Sequence, residues 1–183
     1  MMKNPDIIDP GGAGTGDINL LLKQLREKGW KGQFTYLCGT FDPVATWSVV
    51  GSLSTGAYTV GYTGISEAPT QAYADFQVRF EKTYGESMYA SVPYYYEHAL
   101  NIFKAIAAAN SFDPYKVAAT LESSEWDGLF GHCKFVGDEL GSPFGIKRVI
   151  NINIPLIRLT TDGKAEIVAR PATSGDKTYI AIK

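Results

Sequence analysis

An α/β fold, with a parallel sheet interrupted by a helical stretch, is predicted by three changes of hydrophobic period along the 183 residues. The first third alternates short apolar runs with helical patterns, the signature of βαβ units and a parallel sheet. The middle keeps to three- and four-residue spacing, and the last third falls back to strict alternation.

Ile7-Ile8 reads as a short buried strand, and Gly11-Gly12-Ala13-Gly14-Thr15-Gly16 follows as a flexible turn. Asp17 is then expected to cap a helix with Ile18, Leu21, Leu22 and Leu25 on its apolar face and Gly29 as its stop. Gln33 to Leu37 is the next strand. Asp42-Pro43 supplies an N-cap and a first helical position for a short helix through Val50, ended by Gly51, and Gly56 to Tyr62 returns to strand. The polar stretch from Ser66 to Thr70, with Pro69, marks a crossing between lobes.

Tyr73, Phe76, Phe80 and Tyr84 then share a helix face, with Asp75 and Arg79 placed to pair at i,i+4, and Gly85 ends that helix. A second helix runs from about Pro93 to Ala109. Its apolar stripe is Tyr96, Leu100, Phe103 and Ile106, its narrow polar stripe Glu97, Asn101 and Lys104, so burial on more than one side is expected. Asp113-Pro114 caps a third helix ending near Leu121. From Ile146 to Leu156 the even positions are mainly apolar, predicting a strand with one buried face, and Asp162-Gly163 turns the chain into a returning strand over Ala165 to Ala169. No internal repeat or low-complexity tract interrupts this order.

Composition narrows the function. With 45% hydrophobic residues the chain can bury a sizeable core, and 17 Lys and Arg against 19 Asp and Glu leave a net charge of −2. That balance lacks the basic excess of nucleic-acid or anionic-membrane binders, so neither is expected as a partner. Cys38 and Cys133 form no CxxC or Cys/His spacing, which argues against a structural zinc or a disulfide scaffold. Met1 to Asp6 carries no apolar h-region or cleavage site, so no signal peptide is read in this chain, and no apolar run approaches the roughly 20 residues that span a bilayer.

The chemistry-bearing residues are sparse. Gly12-Ala13-Gly14-Thr15-Gly16 has G-x-G-x-G rather than G-x-G-x-x-G and lacks a P-loop Lys-Ser/Thr, so a flexible turn is favoured over a nucleotide site. His98 and His132, the two histidines, lack metal-ligand spacing; a hydrogen-bonded helix residue is the better reading of His98, and no metal or other cofactor is expected. No GxSxG or HExxH motif appears, so no catalytic residue is assigned and Cys38 is read as a buried strand-end thiol. Five of the 11 tyrosines (Tyr84, Tyr89, Tyr94, Tyr95, Tyr96) fall within 13 residues, which suits helix packing slightly better than a binding cleft.

Three stretches carry a family likeness. They are Pro5-Asp6-Ile7-Ile8 through Gly12 and on to Leu22-Lys23-Gln24-Leu25-Arg26-Glu27-Lys28-Gly29; Ala72 to Phe76 with Phe80 to Glu86 and Tyr96-Glu97-His98-Ala99; and Leu121-Glu122 with Gly131 to Phe135 and Asp162-Gly163-Lys164. In this order they resemble the C-terminal portion of type I periplasmic solute-binding proteins of the branched-chain amino acid and amide group that feeds ABC importers. The resemblance implies an incomplete type I fold: a Rossmann-like parallel sheet lobe plus a helical segment from the other lobe. Residues 1–66 would be the second-lobe α/β part, 67–130 the helical segment of the first lobe, and 131–183 closing strands returning to the second lobe.

The resemblance also implies function. It points to a solute-binding component, or a fragment of one, for amino acids, amides or similar small polar or amphipathic molecules, acting with an ABC permease in the periplasm or outside the cell. Solute contacts would come from Ala13, Gly14 and Thr15, from Cys38, Gly39 and Thr40 at a strand end, and from Tyr96 at the start of a first-lobe helix. Cys38 stands where amino-acid binders carry a carboxylate for the solute ammonium, and a thiol cannot supply that charge. A ligand-sensing module of the same fold is the alternative; an α/β hydrolase-like or Cys-dependent enzyme has only the fold class behind it. Three expectations follow: residues before Glu67 and after Phe130 share one sheet, residues 71–122 form a helical unit beside it, and uncovered apolar surface drives a homodimer or pairing with a missing N-terminal lobe.

Overall fold

The computed structural model describes residues 4–37, 41–136, 149–150, 152, 154–171 and 179–181. Ile7–Ile8 (β1), Gln33–Tyr36 (β2) and Tyr58–Val60 (β3) run parallel, with Ile8 opposite Phe34 and Tyr36 opposite Thr59. Helix α1 (Thr15–Glu27) connects the first two strands, and α2 (Pro43–Val50) with a 3₁₀ turn at Gly51–Ser54 connects the next two. Ile18 and Leu22 of α1 are fully buried against Phe34, Tyr36, Phe41, Trp30 and Val50, while Leu21 and Leu25 flank the same core. The predicted apolar face of α1 is therefore the packed one. Its start differs: the N-cap is Gly14, with no side-chain cap, and Asp17 lies in the first turn, where a negative charge still favours the helix dipole. The Asp42 cap of α2 is as expected, its Oδ1 accepting from Ala45 N at 2.9 Å.

After β3 the chain enters a helical unit. Thr70 caps α3 (Gln71–Tyr84) by accepting from Tyr73 N, and Gly85, in the left-handed region at φ 70°, ends it. Asp75 and Arg79 do not pair: Gln71 donates to Asp75, and the Arg79 guanidinium lies 5.6 Å from the Phe76 ring centroid. Helix α4 (Val92–Ala109) is followed by α5 (Pro114–Glu122), whose Asp113 cap accepts from Tyr115 N and Lys116 N. Next come β4 (Glu125–Gly128), β5 (Gly131–Val136) and β6 (Val149–Ile150), which form an antiparallel three-stranded sheet.

The closing strands divide between two sheets. Ile150 pairs with Phe135 in the small sheet, whereas β7 (Leu156–Leu159) pairs antiparallel with β3, followed by β8 (Ala165–Pro171) and β9 (Tyr179–Ala181). The large sheet therefore has the order β1-β2-β3-β7-β8-β9 and is mixed rather than all parallel. The expectation that everything after Phe130 shares the sheet of Gln33–Tyr36 does not hold. The even-position alternation over 146–156 continues through two different pairings, because a period of two fixes the face of a strand and not its partner. Residues 146–148, 151 and 153 of that run lie outside the described residues.

The second difference is in α4. Its buried residues are Pro93, Glu97, Asn101 and Ala105, so Glu97 and Asn101 of the predicted polar stripe face inward while Lys104 is exposed. Tyr96 is 38%, Ile102 46% and Phe103 67% exposed. The inward face is closed by hydrogen bonds: Glu97 Oε1 accepts from Trp126 Nε1 at 2.7 Å and from Asn101 Nδ2 at 3.3 Å, and Oε2 accepts from Leu129 N at 2.8 Å. Gly128 completes the fit, since a Cβ there would collide with the Glu97 carboxylate. No helix among the described residues is long and apolar enough to cross a membrane.

Candidate functional site

In a parallel α/β sheet the loops at the carboxyl ends of the strands are the usual place for a ligand. Here those ends lead to residues 9–15 after β1, to 37–42 after β2 and to Gly61-Tyr62-Thr63 after β3. Asp9 shapes the first loop: Oδ1 accepts from Gly11 N at 2.9 Å and Oδ2 accepts from Thr35 Oγ1 of β2 at 2.8 Å. The Tyr36 hydroxyl donates to Ala13 O at 2.6 Å, which holds the start of α1 over the end of β2. Ala13 and the end of β2 are thus neighbours. Gly14 has extended backbone, and the helix it opens has no side-chain cap. Cys38, Gly39 and Thr40 lie outside the described residues.

The segment leaving β3 meets a cluster of aromatic rings. Tyr62, on the segment leaving β3, lies 5.9 Å from Tyr73 of α3 and 6.3 Å from Phe130 between centroids, and Tyr94 of α4 stacks on Phe130 at 4.5 Å and 17°. Burial raises the phenols of Tyr73 and Tyr94 above the ordinary tyrosine value, with Tyr62 adding to both and Asp42 to Tyr73. Both hydroxyls stay protonated and remain donors through the neutral range. Gly61, at φ 135°, lies beside the Tyr94 hydroxyl: a Cβ there would stand 3.9 Å from it, an ordinary contact.

Tyr96 is placed elsewhere. It packs on Phe76 at 4.5 Å and lines an open groove of about 660 Å³ between α3 and α4, with Arg79, Phe80, Tyr84 and Tyr95. Two positions along a helix rotate a side chain by about 200°, so Tyr94, not Tyr96, lies beside the end of β3. His98 is exposed and, among the described residues, has no hydrogen-bond partner, in contrast to the hydrogen-bonded reading. His132 sits on the small sheet, with Nδ1 3.0 Å from Asp127 Oδ1 and Nε2 3.5 Å from Glu125 Oε2, all three exposed. Cys133 is buried, and burial pushes its thiol up to about 11, which leaves it inert at neutral pH.

The sequence reading missed Asp9, Tyr36, Tyr62, Tyr73 and Phe130 as builders of this region. Tyr73 was legible only as a core position, and the others become visible once strand order places their segments side by side.

The family model for periplasmic binding proteins matches residues 2–143. Among curated proteins none matches significantly. Similar solved structures include a leucine-binding protein from Thermotoga maritima (21% identity, TM-score 0.69, aligned over 91% of this chain and 45% of that one). A branched-chain amino acid transporter substrate-binding protein from Streptococcus pneumoniae, in complex with isoleucine, aligns at 15% identity and TM-score 0.68 over 93% of this chain and 46% of its own. A solute-binding protein of an ABC transporter from Rhodopseudomonas palustris, in complex with 3,4-dihydroxybenzoic acid, gives 18%, 0.68, 94% and 46%. The chain therefore spans about 45% of the length of these structures. The α/β architecture, the order of its elements and the family match over residues 2–143 agree, and the chain belongs to the periplasmic binding protein family.

Proposed function

We propose that this chain supplies one wall of the solute site of a non-catalytic binding component for an ABC importer, working in the periplasm or outside the cell. The observation that carries the reading is the packing of Tyr62, on the segment leaving β3, against the Tyr73 and Phe130 rings, with Tyr94 stacked on Phe130, in a chain of this family. Ala13, Gly14 and Thr15 offer backbone groups at the opening of α1, and Cys38, Gly39 and Thr40 the next loop. On the helical side the contact is assigned to Tyr94 in place of Tyr96. Residues 1–66 and the strands from Leu156 onward form the sheet unit, and 67–130 with β5 and β6 the helical unit; the two move about the crossings near Glu67 and Pro155.

The solute class is a small amphipathic molecule. The structures in complex with isoleucine and with 3,4-dihydroxybenzoic acid bound two such solutes. Phenol donors and stacked rings favour an aromatic acid here, and Cys38 in place of a carboxylate disfavours an α-amino acid. Affinity in such sites comes from burying most of the ligand, so one wall alone binds weakly.

The test is titration calorimetry with isoleucine and 3,4-dihydroxybenzoate, on the chain alone and on the chain paired with a complementary lobe. The expected result is no measurable heat for the chain alone and binding of the aromatic acid by the pair. Within the pair, Tyr94→Ala should weaken binding about tenfold or more, and Tyr96→Ala and His98→Ala less than about threefold. Tight binding by the chain alone, or equal loss from all three variants, would contradict the assignment.

A further inference from the structure

The sheet unit and the helical unit are joined by a buried carboxylate that serves both. Asp42 is 6% exposed. Its Oδ1 closes the first turn of α2 on Ala45 N, and its Oδ2 accepts from Ala90 N at 2.7 Å, a residue 48 positions away. Ala90 belongs to the short segment 85–91 between α3 and α4, in which Met88 is also buried, so whatever holds Ala90 holds the facing ends of both helices.

The surroundings favour a contact that opens without unfolding. A cavity of about 220 Å³ beside the carboxylate, lined by Val44, Ala45, Ser48, Ser87 and Met88, gives the 87–90 segment room to shift. The two bonds differ in kind. The cap is local and forms with α2, whereas the bond to Ala90 is long-range and its segment is held at each end by a helix. Across the same boundary the Glu67–Arg170 ion pair is solvent-exposed and sits at the crossing itself, and Tyr62 meets Tyr73 and Phe130 in ring contacts at about 6 Å that slide without a fixed register. A hydrogen bond from a charged acceptor does not slide: it is made or broken.

We propose that Asp42 is a conformational latch. The two units separate by release of Ala90 N–H from Asp42 Oδ2, with α2 remaining capped through Oδ1. The inference concerns this chain's own motion and stands whichever solute the site takes.

Amide exchange on the full chain tests it, comparing the wild type with Asp42→Ser and Asp42→Asn. Serine keeps an oxygen for Ala45 N and is too short to reach Ala90. Asparagine keeps the shape of the side chain but offers one acceptor oxygen for two donors. In both variants the Ala90 amide should exchange about tenfold faster, while Ala45 and the amides after it stay within about threefold of wild type. Unchanged protection at Ala90 overturns the latch. So does equal acceleration at Ala45 and Ala90, which would make Asp42 an ordinary structural residue, and so does loss at Ala45 alone.

Discussion

Helices α1 and α4 bury opposite kinds of face. In α1 the apolar residues Ile18 and Leu22 point into the core, and Lys23 and Glu27 form an exposed i,i+4 pair outside. In α4 Glu97 and Asn101 point inward, while Tyr95 (71% exposed), Ile102 and Phe103 point out. The difference lies in what each helix packs against. α1 lies on a sheet whose side chains are Phe34 and Tyr36, so apolar burial decides its orientation. α4 meets a strand pair that presents an indole N–H and a backbone N–H, and the Glu97 carboxylate satisfies both. With Glu97 and Asn101 inward, Tyr95, Ile102 and Phe103 are left on the outside of the helix.

The largest effect should come from the α1 side. Phe34→Ala removes a fully buried ring and should cost about 3–5 kcal/mol, measured by urea unfolding. A loss below about 1 kcal/mol would mean that this core is not packed as described. Glu97→Ala tests the other side. It leaves the Trp126 indole N–H and the Leu129 N–H without their acceptor, and each orphaned buried donor costs about 1–3 kcal/mol. Glu97→Gln, which keeps one oxygen, should lose about half as much. If Glu97→Ala is neutral, the inward polar face is not what orients α4.

How much of this the sequence showed depends on whether a signal was local. The Asp42 and Asp113 caps, the Gly85 stop and the Asp162-Gly163 turn each act within a few residues, and the structure has them where they were read. The orientation of α4 was not legible because Trp126, Gly128 and Leu129 lie about thirty positions from Glu97 and become its partners only in three dimensions. The division of the closing strands failed for the same reason. Of the candidate site, the glycine-rich text after β1 read only as a flexible turn and the family resemblance put forward Ala13 to Thr15, whereas proposing Tyr94 in place of Tyr96 needed the placement of Phe130 and Phe76.

Alkaline pH gives a smaller effect. Cys133 titrates near its ordinary value of 9.0 when unfolded and at about 11 when folded. Between those values the unfolded chain has released a proton that the folded chain keeps, so stability falls as pH rises from 9 to 11 and is unaffected below. The raised Tyr73 and Tyr94 phenols act with the same sign above their ordinary value of 10.0. Urea midpoints measured from pH 8 to 11 should fall, and less steeply in Cys133→Ala. An identical slope in that variant would contradict burial of the thiol. The smallest effect should come from the outward face of α4: Ile102→Ser with Phe103→Ser should change the stability of the isolated fold by no more than about 0.5 kcal/mol each.

That pair of variants also carries the decisive measurement. If the outward face of α4 is a surface made to be covered, this chain pairs through it with a second copy. Sedimentation equilibrium at tens of micromolar, roughly the range for contacts of this size, should then give a dimer or larger species for the wild type and a monomer for Ile102→Ser/Phe103→Ser. A wild type that sediments as a monomer, or a variant that associates as strongly as wild type, would contradict the account.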